Sequence, residues 1–244
     1  MNDQELVATA SPIINEAGWA FYFTPATAAR GAALGLDPYQ FYAMGRGGVL
    51  GDVEPAVVSA AFGYFNPALV TNLWNAGKAI VAPRTAGTAY MAASGEHGRL
   101  KLSQVAGLDG FVAAAQRVLA ATDVDGFSLF AGVAAEPLAD DLPARAMQLL
   151  TVLREYRGSA HLVAVRAVGL TTKTAHFAKR PTDIAMFGWS AADAPVVDAD
   201  VHSKLAAAEA LTDALVLPAY AVLDEHERAT FVEGLHAIHA ALTA

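Results

Sequence analysis

The chain has 244 residues, 55% of them hydrophobic and 16% charged, with a mean hydropathy of +0.35, which excludes an extended disordered polymer and leaves room for a substantial core. Its net charge is −8, from 16 Lys and Arg against 24 Asp and Glu, which argues against nucleic acid as a partner because non-specific affinity for DNA comes mostly from positive charge. Cysteine is absent, so disulfides, thiolate metal sites and a cysteine nucleophile are excluded.

Alanine is abundant and alternating Val/Ile/Thr runs are scarce, so an all-α, multi-helix bundle is expected. A capping residue followed by proline marks helix starts at Ser11-Pro12, Thr24-Pro25, Asp37-Pro38 and Asn66-Pro67. Gly35, the Gly45–Gly48 cluster, Gly77, Gly95 and Gly169 mark stops. Together these signals predict helices near 12–18, 25–34, 38–44, 54–63, 67–77, 86–94, 107–121, 143–168, 172–179, 202–218 and 225–242. The last opens with Asp224 and Glu227 at capping-box spacing.

Residues 122–142 and 180–200 read as connections. The second separates a helical bundle with a ligand pocket (1–180) from a linker and C-terminal helical hairpin (181–244), packed on the bundle or at a dimer interface. Leu215, Leu223, Phe231, Leu235, Ile238 and Leu242 give that hairpin more apolar surface than a peripheral element needs, so a homodimer is expected. No charge-free apolar run reaches the roughly 18 residues of a membrane span, and MNDQELVATA lacks the basic start of a signal peptide, so a cytoplasmic location is expected.

Within 143–169, Ala146, Leu149, Leu150, Leu153, Ala160 and Ala164 share one helical face. Arg157 projects into the middle of that face and His161 lies at its edge, one turn on. A guanidinium placed there stays ionised and needs a carboxylate, an anion or a polar ligand. Two readings stand side by side. Arg157 and His161 bind a ligand's polar end, or even act as catalytic residues, with His161 as acid–base. Alternatively Arg157 is a structural ion pair, with Asp52, Glu54 or Asp141 as partner, and His161 a hydrogen-bonded core residue. Gly158, in mid-helix, suggests close approach by a helix or a ligand.

Arg46, between glycines, stands either at the rim of an anion nest or at a simple helix end. Tyr64 and Trp74 either line the pocket or pack the core. No His-Glu-x-x-His pattern or paired Glu-x-x-His motif is present, so no metal site is expected, and the sequence points to no particular cofactor. There is likewise no nucleophile elbow.

The run LREYRGSAHLVAVRAVGL (153–170), together with GRGGVLG (45–51), AFGYFNPALV (61–70), FGWS (187–190) and LTDALVLPAY (211–220), resembles a large, mostly actinobacterial family described only as helix-turn-helix-like. That family carries Leu-Arg-Glu-His-Arg-Gly-Asp-Gly-His where this chain has Tyr156 in place of the first His. The resemblance implies a regulator-like helical scaffold. Family members place a winged-helix unit between the Gly-Trp motif and the Thr-Asp helix, whereas only ADAPVVDADVHSKLAAAEA (192–210) fills that interval here. The resemblance therefore implies a shortened reading element.

Three functions follow as expectations. The first is a small-molecule-binding protein for an anionic or carbonyl-bearing ligand held by Arg157, His161, Arg46, Tyr64 and Trp74. The second is an enzyme on the same pocket, with Arg157 or Arg46 stabilising developing charge. The third is a transcriptional regulator.

Overall fold

The computed structural model describes residues 1–244 and is all-helical, as composition predicts. Its twelve helices are α1 (Asp3–Ala17), α2 (Pro25–Ala33), α3 (Pro38–Gly48), α4 (Pro55–Phe62), α5 (Pro67–Lys78), α6 (Pro83–Leu102), α7 (Leu108–Ala120), α8 (Ser128–Ala134), α9 (Leu142–Ala167), α10 (Thr172–Lys179), α11 (Ala199–Tyr220) and α12 (Glu225–Thr243), with a short 3-10 turn at Ala191–Asp193. None is long and apolar enough to cross a membrane.

Several starts follow the expected chemistry. Thr24, Asp37 and Asn66 each cap a helix that begins with proline, and Asp224 forms the capping box with Glu227. Ser11-Pro12 does not start a helix: α1 begins nine residues earlier, where Asn2 and Glu5 form a capping box, and Pro12 lies inside it. α3 does stop in the expected Gly45–Gly48 cluster, at Gly48, but the stop expected at Gly95 is absent, and Gly45, Gly48 and Gly95 are contact points between helices. A β-carbon at Gly48 would overlap the Pro83 carbonyl, and one at Gly45 would overlap the Tyr90 ring, so α3 and α6 touch backbone to backbone. One helix, α8, forms inside the stretch 122–142 expected to be a connection.

The centre is α9, flanked by α6, α7, α8 and α11. Its predicted face is completely buried: Ala146, Leu149, Leu150, Leu153, Ala160 and Ala164 are all 0% exposed. One large core takes in the first five, and a second, smaller core joins Ala164 and Val165 to Leu170, Ala175, Val201 and Ala208. Four of the six apolar residues named for the last hairpin are buried within the chain, and Leu215 and Leu242 are half-buried. α12 packs on α7 and α1, and Leu223, Phe231, Leu235 and Ile238 are buried there.

Candidate nucleic-acid interface and the cleft beneath it

Residues from α1, α3, the α4–α5 turn, α9, α10 and α11 enclose a cleft of about 530 Å³. It contains Arg46, Tyr64, Arg157 and His161 together. Trp74 is not among them: it is 0% exposed in the core, and its indole N–H donates to the Val53 carbonyl at 3.0 Å.

Arg46 projects from α3 onto α9, where Nε and Nη2 each donate at 2.8 Å to the two oxygens of Glu155. Tyr22 adds its hydroxyl at 3.2 Å. Burial alone would push the Glu155 carboxyl up, but the charge and hydrogen bonds of Arg46 override it and hold the group below the usual carboxylate range. Arg46 is thus half of an internal ion pair, and not the rim of an anion nest, since Gly45, Gly47 and Gly48 all lie within α3.

Arg157 is 20% exposed and donates from Nη2 to Glu209 at 3.1 Å and Asp213 at 2.9 Å, both on α11. None of the acids expected as partners meets it: Asp52 pairs with Lys78, Asp141 caps α9 and binds Arg99, and Glu54 is exposed ahead of α4. Arg157 Nε has no partner. His161 Nδ1 lies 2.9 Å from the Thr212 hydroxyl, whose proton goes to the Ala208 carbonyl. The network therefore assigns the ring proton to Nδ1 and leaves Nε2 as an acceptor. Burial lowers the imidazole pKa, with Glu209 opposing, so the ring is neutral at pH 7.

Tyr64 is the sole non-glycine residue with positive φ, at 55°, and its buried hydroxyl has no partner. Such backbone strain concentrates at functional sites. Gly158 is not crowded, contrary to expectation. The nearest atom to a β-carbon there would be Glu155 Oε2 at 4.0 Å, so the missing side chain leaves the cleft open.

Three pairs of helices are joined by a four-residue turn with a left-handed glycine, the geometry of a helix-turn-helix. In α2–α3 the turn holds Gly35, but α3 is buried by Phe41, Ala43, Met44, Gly45, Gly47 and Gly48 and cannot enter a groove. In α4–α5 the turn holds Gly63, and α5 carries a single cation, Lys78. In α9–α10 the turn is residues 168–171, with Gly169 at φ 81° and Thr171 capping α10. Ala164, Val165, Leu170 and Ala175 lock the two helices together from beneath, with Val168 and Ala178 packed beside them.

Charge separates the third from the others. Residues 154–180 contain six of the sixteen cations (Arg154, Arg157, Arg166, Lys173, Lys179 and Arg180) and one acid, Glu155. On α10, Lys179 pairs with Glu209, and Lys173 rests on the Trp189 ring at 4.8 Å and reaches Asp193 at 4.0 Å. Arg180, just beyond, is exposed and has no ion-pair partner. Of the three turns, only α9–α10 joins a left-handed glycine to a cation-rich segment.

The chain belongs to a helix-turn-helix family, whose model matches residues 7–244. No curated protein and no solved structure matches it. Membership corrects two expectations. A small-molecule-binding protein gives way to the nucleic-acid function that the family indicates, and the net charge is no bar to nucleic acid. The physical reason is that −8 is a sum over the chain, whereas phosphates meet a local surface.

Sequence reasoning missed Lys173, Lys179, Arg180 and the Gly169 turn as a unit. The signal was present: a glycine stop followed by a Thr-capped helix, inside the most cation-rich segment of the chain.

Proposed function

We infer that this protein is a DNA-binding transcriptional regulator of the cytoplasm, touching the duplex through α10 and the end of α9. The observation that carries this reading is the coincidence of the left-handed Gly169 turn with the one cation-rich segment of an acidic chain. α10 is held from below by Ala175, His176 and Phe177; Thr171 and Thr174 lie on the opposite side, and Lys173, Lys179 and Arg180 emerge at its flanks and C-terminal end. Lysine and arginine there neutralise phosphates, and the threonine hydroxyls offer hydrogen bonds to phosphates or base edges.

The test is fluorescence anisotropy with a labelled duplex from upstream of the protein's own gene, read across a salt series. Binding should weaken linearly in log–log form. In the Lys173→Ala/Arg180→Ala double variant, shown to be folded by circular dichroism, the slope should fall by about 0.9 for each phosphate that is no longer neutralised. No binding at low salt, or an unchanged slope in the variant, would remove the reading.

A further inference from the structure

We propose that His161 takes up a proton when DNA engages Lys179, with Glu209 coupling the two, so that the protein binds DNA more tightly in mild acid. The inference rests on the DNA-binding reading above. Three helices meet at one carboxylate. Glu209 of α11 accepts from Arg157 of α9 at 3.1 Å through Oε2, and from the Lys179 ammonium of α10 through Oε1. The same Oε1 lies 3.9 Å from His161 Nε2. With its ring proton on Nδ1, His161 meets that oxygen as a second acceptor, and nothing draws the two together. Lys179 is the accessible member, with 53% of its side chain exposed against 15% for His161, so a phosphate can reach the lysine and not the ring.

A phosphate that draws Lys179 outward changes the surroundings of the ring twice: Oε1 loses its cation, and the imidazole loses a positive neighbour. Burial lowers the His161 pKa, Glu209 opposes that shift and Lys179 reinforces it, so both changes favour the protonated ring. A proton from solvent in the cleft, which His161 lines, adds to Nε2 and turns two facing acceptors into a charge-assisted hydrogen bond. The other groups around the ring keep their states. Arg157 retains Asp213 at 2.9 Å, and burial keeps the Tyr64 hydroxyl protonated, its ring 6.5 Å from that of His161. His176, the buried imidazole of α10 itself, has Arg180 and Asp183 as charged neighbours. Linkage is reciprocal: a proton that DNA binding favours at His161 favours DNA binding by the same factor.

The experiment is anisotropy with the labelled upstream duplex and the full-length protein at one salt concentration, across a pH series in which circular dichroism shows the fold intact. Over the pH unit below neutrality the wild type should tighten by about threefold to tenfold, the upper figure being the limit set by one whole proton. Calorimetry in two buffers of different ionisation enthalpy should show net proton uptake on binding. His161→Gln should lose both effects. Glu209→Gln, a change at a half-exposed position that removes the coupling charge, should lose them as well, and His176→Gln should keep them. Binding by the wild type without proton uptake, or uptake that persists in His161→Gln or Glu209→Gln, overturns the coupling and leaves DNA binding intact. No binding at any pH overturns both.

Discussion

The Arg46–Glu155 pair shows what a single residue costs and returns. Glu155 is 2% exposed in its side chain and Arg46 is 11% exposed, so each charge depends on the other. Arg46→Met should destabilise the protein by about 3–5 kcal/mol, because it strands a buried carboxylate. The double variant Arg46→Met/Glu155→Met should recover most of that deficit, since well-packed apolar residues often replace a buried ion pair with little penalty. Urea unfolding of the two variants checks both statements. A double variant no more stable than the single one would mean that Glu155 is served by Tyr22 and Arg154 alone.

The sequence marked Arg157 as a residue in need of a partner but offered Asp52, Glu54 or Asp141 in place of the acids it meets, and it gave no sign that Arg46 is half of an ion pair. Their acids lie 109, 52 and 56 residues away along the chain, and only the crossing of α3 and α11 over α9 brings them near. Tyr64 is different in kind. Its left-handed backbone has no signature in residue type, since glycine is what such a position ordinarily calls for.

At the level of elements, α10 matches its expected bounds of 172–179, because glycine before, threonine at the cap and proline soon after leave it no other span. The same residue type misleads elsewhere. Gly45 and Gly95 lie inside helices because a partner helix needs the space, and local sequence does not distinguish a glycine that ends a helix from one that admits a neighbour. At Gly169 the reason is conformational. Nothing lies within 4 Å of a β-carbon built there, so strain alone opposes substitution.

Gly169→Ala should therefore cost about 1–2 kcal/mol, and Gly169→Asn less, because asparagine tolerates the left-handed region. Equilibrium denaturation should rank wild type, Asn and Ala in that order. If the turn is what aims α10, DNA affinity should fall with the same ranking. A ranking by side-chain volume would instead indicate crowding.

For the whole molecule, the buried histidines set the response to acid. His97, His161 and His176 each have a pKa lowered below the ordinary 6.5, in each case mainly by burial. Between their folded values and 6.5 the unfolded chain binds more protons than the folded one. Stability should thus be fully present above about pH 6.5 and decline as pH falls below it. Thermal melts at a series of pH values should show this decline starting well above the range in which carboxylates titrate. Replacing all three histidines by glutamine should flatten it, and an unchanged profile would place the acid sensitivity elsewhere. Charge presents the same problem of scale in reverse: a whole-chain total concealed what one segment of 27 residues, 154–180, carries.

The three tryptophans sit in three different surroundings. Trp74 is sealed in the core, Trp19 is 48% exposed, and Trp189 is half-buried with its indole N–H on the Tyr64 carbonyl and its ring against the Lys173 ammonium. Only the last touches α10. The protein consequently contains its own optical reporter. A phosphate that draws Lys173 off the indole changes the emission of Trp189 while Trp74 stays constant as an internal standard, so occupancy of α10 is readable from the unlabelled protein by its intrinsic fluorescence.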